Sequence, residues 1–125
     1  AALGDLGHNL TAEVWWSPAH PFKSSLSGET AAELATAFET AAKRQWTMPV
    51  GFVHALFEVA LDVLKRVEDP TDGDEVAAAI GSTNLDTAVG KITWGQENVP
   101  PFARKNVTKT PLAGGQWQRV DGAYQ

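Results

Sequence analysis

PVGFVHALFEVALDVLKRV, residues Pro49 to Val67, is the longest apolar run in the chain. Phe52, Val53, Leu56, Phe57, Ala60, Leu61, Leu64 and Val67 recur at helical spacing, and Val59 and Val63 widen the stripe. A stripe that wide predicts a helix buried on most of its circumference. His54, Glu58 and Asp62 interrupt it, so it falls short of the roughly 20 uninterrupted apolar residues of a membrane span. The rest of the chain is shorter in period and more polar, so the arrangement turns on what this helix packs against. The expected neighbours are strands at 91–94 and 116–120, or a second chain.

Upstream, Gly4 and Gly7 break the first ten residues into a loop or the end of an element. TAEVWW, Thr11 to Trp16, alternates and is rich in β-formers, which predicts a strand. SPAHPF follows, and its two prolines forbid a continued strand or an early helix. Ser27 to Arg44 reads as an amphipathic helix with Leu34, Phe38, Ala41 and Ala42 on one face. Thr30 and Glu33 have capping-box spacing, with Ser27 as an alternative cap. Its many alanines favour the helix and suit close packing on a sheet. QWTMPVG separates the two helices, with Pro49 at the start of the second.

Downstream, EDPTDGD is an acidic loop, and Asp74 to Gly81 predicts a short helix with acidic residues at its N-terminus. Gly90 breaks the segment 85–94 and Lys91 to Trp94 predicts a strand. GQENVPPFARKN is turn-rich. Val107 to Leu112 and Gln116 to Val120 predict two short strands divided by Ala113-Gly114-Gly115. The order of elements is that of an α/β or α+β chain.

The totals restrict the function. One hundred and twenty-five residues suit one domain, and 43% hydrophobic with 20% charged residues is a globular composition. A net charge of −5 with scattered basic residues argues against a nucleic-acid partner. The lack of cysteine removes disulfides, cysteine nucleophiles and cysteine-ligated zinc, and leaves the compartment open. Neither a signal peptide nor a membrane span is visible, and the start on AALGDLG without Met leads one to expect a longer precursor.

His8, His20 and His54 show no metalloprotease spacing, and His54 with Glu58 on one helix face is a pattern that structural contacts produce far more often than catalysis does. No phosphate loop, nucleophile elbow or loop carboxylate dyad is present. A small hydrolase built on His20 or His54 is disfavoured, because the sequence offers neither a nucleophile nor a metal partner. Asn9-Leu10-Thr11 and Asn106-Val107-Thr108 match a glycosylation sequon that is short enough to recur by chance. Trp15, Trp16, Trp46, Trp94 and Trp117 make a high tryptophan count, open to two readings: core packing or an organic-ligand cleft. The loop Trp15 to Phe22 combines aromatic surface, one titratable ring and a stiff backbone at a strand end, and is equally open to a ligand role or a core-capping connector.

Several motifs, taken together, resemble a known family. They are Gly4-Asp5-Leu6-Gly7, Val14-Trp15-Trp16 with its Pro-containing loop, and the helix from Ala31 to Lys43. Gly51-Phe52-Val53-His54-Ala55-Leu56 follows, running to Leu64-Lys65-Arg66. Asp74 to Ile80 comes next, then Leu85-Asp86, Val89-Gly90-Lys91-Ile92-Thr93-Trp94, and finally Thr110-Pro111-Leu112 to Gln116-Trp117. Their order and spacing are similar to the C-terminal third of type I periplasmic binding proteins, the substrate-binding components of branched-chain amino acid ABC transporters. Lys91 stands after Gly90 where that family usually has proline, and Gly95-Gln96 replaces an acidic turn.

The resemblance implies a partial α/β fold of that type, a C-terminal portion with three helices and a few short strands. Residues 1–48 would end the second lobe. Residues 49–125 would form a crossover helix and closing strands returning to the first lobe and hinge. It implies an extracytoplasmic protein, periplasmic or anchored as a cell-surface lipoprotein, that closes two lobes on a small ligand and delivers it to a membrane permease. The ligand would be an amino acid or an apolar or aromatic acid. No catalysis, cofactor, metal or nucleic acid is expected, and the uncovered helix would meet the missing N-terminal part or another copy of the chain. A ligand-sensing module of the same fold in a regulatory system is the alternative. The ligand-binding residues expected are Trp15, Trp16 and His20 from the first loop and Met48, Val50 and Phe52 before and within the long helix. Aromatic rings would supply apolar contact and His20 a hydrogen bond.

Overall fold

The computed structural model describes residues 4–124. The loop reading of the first ten residues therefore falls partly on 1–3, which lie outside the described residues; Gly4–Gly7 form a single 3-10 turn. The described chain is a small mixed α/β domain. Its elements are β1 (Thr11–Val14), α1 (Ala31–Ala42), α2 (Pro49–Arg66), α3 (Gly73–Gly81), β2 (Asn84–Thr87), β3 (Gly90–Thr93), β4 (Ala113–Gln116), β5 (Arg119–Val120) and β6 (Ala123–Tyr124). The strands form three antiparallel pairs: β1 with β4, β2 with β3, and β5 with β6.

Local chemistry explains where the helices begin and end. At the start of α1 the Thr30 hydroxyl accepts the Glu33 N–H, and the Glu33 carboxylate accepts the Thr30 N–H at 2.8 Å. This reciprocal pair satisfies two donors that the first turn would otherwise leave open. α1 ends at Lys43, which takes the left-handed conformation that glycine more often supplies. Pro49 opens α2 without a side-chain cap, and Lys65 and Arg66 sit at its negative end. The Asp72 carboxylate caps α3 by accepting from Asp74 N and Glu75 N.

The main partners of α2 among the described residues are α1, α3 and β2, and the strands expected at 91–94 and 116–120 make no comparable contact with it. The wide burial predicted for it is also corrected. The buried positions are Gly51, Ala55, Glu58 and Val63, while Val53, Leu56, Phe57, Leu61 and Leu64 are exposed. α1 differs in the same way: its buried side is Ala31, Leu34 and Ala35, with Ala41 and Ala42 outside, and it lies on a helix instead of a sheet. Small residues allow the close approach. A Cβ placed on Gly51 would stand 2.2 Å from the Trp16 indole, so the ring lies directly on the α2 backbone. Trp16, Ala31, Leu34, Ala35, Ala55, Ala88 and Val89 form the core, with Trp46, Val50, Phe52 and Ile92 packed around it.

The C-terminal strands differ from expectation. Residues 107–112 are irregular, and the supposed divider Ala113-Gly114-Gly115 is itself strand β4. Ala12 pairs with Gly115, and a Cβ there would meet Val14 Cγ2 at 2.3 Å, so glycine is what lets the two strands close. β2 and β3 form a hairpin, of which only the second strand was expected. Asp121 and Gly122, both with positive φ, turn the β5–β6 hairpin.

Candidate functional site

The β1–β4 ladder joins residues about a hundred positions apart and continues past β4, where Trp117 N donates to Leu10 O at 2.9 Å. That continuation sets the Trp117 ring against Trp46, with centroids 5.9 Å apart and planes at 28°. Trp46 in turn meets the buried Trp16 edge-on at 6.0 Å. Between this aromatic pair, the outer side of α1, the loop 17–22 and the segment 111–117 lies a cleft of about 1000 Å³. Such a volume suits a small organic molecule.

His20 projects from the loop wall. Its Nδ1 accepts the Ser17 N–H at 3.0 Å, and the Ser17 hydroxyl lies 3.1 Å from the same nitrogen. An Nδ1 that accepts leaves the ring proton on Nε2. Burial holds the ring below the usual imidazole range, partly offset by a backbone contact with Ser17, so the neutral form is favoured. Elsewhere in the lining, Glu39 Oε1 accepts the Trp46 N–H at 3.1 Å and fixes the start of the Trp46 segment.

The six residues expected to bind ligand separate. His20 lines the cleft. Trp16 is fully buried in the core, and its Nε1 has no hydrogen-bond partner. Val50 and Phe52 pack around that core. Trp15 meets Phe52 edge-on at 5.1 Å, so these two are together, outside the cleft lining. Met48 is the half-buried residue preceding α2. Trp46, Trp117 and Glu39 also line the cleft; Glu39 reaches Trp46 N locally, whereas Trp46 and Trp117 meet through the long-range β1–β4 pairing, which no local pattern reveals.

A second polar cluster pins α2. Glu58 is fully buried; its Oε1 accepts Ser25 N at 2.5 Å and Ser25 Oγ at 2.8 Å, and its Oε2 accepts Ala88 N at 2.9 Å. One turn earlier, His54 Nε2 lies 2.8 Å from Ser24 Oγ. Both histidines for which the sequence offered no nucleophile thus have a serine beside them. Ser24 Oγ, however, is buried and already accepts Leu26 N and Ser27 N, which turns its proton toward His54. A hydroxyl held this way closes a tight loop and is screened from solvent. Among the described residues no cluster of His, Cys, Asp or Glu could hold a metal ion, and no helix is long and apolar enough to cross a membrane.

No family model, curated protein or solved structure matches this chain.

Proposed function

We propose that the chain is the ligand-holding portion of an extracytoplasmic solute-binding protein, and that it binds a small apolar or aromatic molecule without covalent chemistry. The observation that carries this reading is the cleft itself: two stacked tryptophans, a stiff proline-bearing loop and a histidine held through Nδ1 by Ser17, all lining a space of ligand size. Apolar walls with a few placed polar groups are how small-molecule sites gain affinity and orientation. The outward apolar side of α2 supports the two-lobed part of the reading, since a face of that kind is normally covered by another part of the protein. The sequence motifs that resemble type I periplasmic binding proteins supply the transport role and the permease partner.

A thermal-shift screen against amino acids and aromatic acids tests the proposal. A ligand that binds the folded state alone raises the midpoint, by about 2.7 kcal/mol of stabilisation at a hundredfold excess over Kd. The expected result is a dose-dependent rise for a subset of compounds. A flat response across the whole set contradicts it.

A further inference from the structure

Among the described residues, the walls of the cleft carry a single formally charged side chain, the carboxylate of Glu39. The other polar lining groups are neutral: Ser17, Thr36, Gln45, Gln116 and the His20 ring. Glu39 uses Oε1 to accept the Trp46 N–H, and among the described residues Oε2 has no hydrogen-bond partner. The Trp46 ring, stacked with Trp117, borders the same space. A carboxylate that lines the same cleft as two tryptophan rings is complementary to an organic cation, because aromatic rings attract positive charge and the carboxylate neutralises it.

Building on the ligand-cleft reading above, we propose that the cleft selects an amine: an apolar or aromatic body carrying an ammonium group, which Glu39 and the Trp46–Trp117 pair receive. A ligand bearing only a carboxylate would meet the Glu39 charge without a compensating cation in the lining. His20 adds direction. Its Nε2–H is a donor, so it suits a carbonyl or carboxylate oxygen at another point of the same ligand and does not compete for the ammonium group.

Three probes of one shape separate the outcomes: phenethylamine, 2-phenylethanol and phenylacetate, each followed by tryptophan fluorescence and by calorimetry. Phenethylamine is expected to bind at least about tenfold more tightly than 2-phenylethanol, with phenylacetate weakest. Glu39→Gln retains an acceptor oxygen for the Trp46 N–H and is expected to abolish the preference for amine over alcohol. Equal affinity for amine and alcohol in the unaltered protein, or tighter binding of phenylacetate, overturns the amine proposal and leaves the cleft reading standing. Failure of all three probes to bind overturns both.

Discussion

The two sides of α2 differ in the opposite sense from their hydrophobicity. The side that faces the domain consists of Gly51, Ala55, Glu58 and Val63, all buried. The side that faces water carries Leu56 at 67% and Phe57 at 60% exposure, with Val53, Leu61 and Leu64 also outside. Small residues win the inner side because they let Trp16 and α1 approach the backbone. There the helix is fixed by directional bonds from a carboxylate to two separate loops. The large side chains are left on the surface, where nothing in the described chain covers them. Burial of apolar area would have favoured the reverse orientation by about 1.5–3 kcal/mol per large side chain. That the helix lies this way around indicates that close packing and the bonds of Glu58 set its rotation.

The largest expected effect breaks this comparison on its inner side. Glu58→Ala removes the acceptor for Ser25 N, Ser25 Oγ and Ala88 N together, leaves the buried Ala88 N–H without a partner and frees the loop at Ser25 from α2. A loss of about 4 kcal/mol is expected by denaturant titration, a large share of the stability of a small domain. Glu58→Gln should lose less, about 2 kcal/mol, because one acceptor oxygen remains. Gly51→Ala comes next. The new methyl group would collide with the Trp16 indole, and an overpacking loss of about 3 kcal/mol is expected, with a change in tryptophan emission. Thr30→Ala, on α1 and away from both sides of α2, removes one half of the capping box and should lower stability by about 1 kcal/mol.

Acid sharpens the same ranking. Thr30 holds the Glu33 carboxyl below its ordinary value through backbone and side-chain hydrogen bonds, and Thr71 does the same for Asp69. Folded values below unfolded ones mean stability that is present above the ordinary carboxylate range and lost as pH falls through the folded values. His20, lowered by burial, acts in the same direction in a higher window: its contribution is present above about pH 6.5 and lost below it. The unfolding midpoint should therefore fall on acidification in two windows, the first below about pH 6.5 through His20 and the second below the ordinary carboxylate range through Glu33 and Asp69. A rise in midpoint on acidification would contradict these assignments. The smallest effect belongs to the outer side of α2. Replacing Leu56 and Phe57 together by glutamine, a good helix former, should change the stability of this chain by less than about 0.5 kcal/mol. A loss as large as that of Glu58→Ala would mean that this side is buried after all.

Much of the fold could be read locally. The capping box at Thr30 and Glu33, the Pro49 start of α2 and the acidic start of α3 are signals carried within four residues of the element they define. The side of α2 that packs could not be read this way. Periodicity places the large apolar residues inward, and only the approach of Trp16 to Gly51 and of Ser25 and Ala88 to Glu58 reverses that, all over separations of 30 residues or more. The cleft was legible in part: the loop from Ser17 to Phe22 is stiffened by its own prolines, whereas Trp46 and Trp117 meet through a ladder whose strand β4 contains two glycines that read as a break. The serine partners of His20 and His54 illustrate the same division. Ser17 is three residues from His20, while Ser24 reaches His54 across the fold.

The most direct test of the cleft as the ligand site uses the indole N–H signals of the five tryptophans in a two-dimensional NMR spectrum, assigned by single Trp→Phe variants. On titration with phenethylamine, the Trp46 and Trp117 signals should move and saturate together, while Trp94, whose Nε1 donates to Ile80 O away from the cleft, stays in place. Unmoved Trp46 and Trp117 signals, or a shift confined to Trp94, would contradict the account.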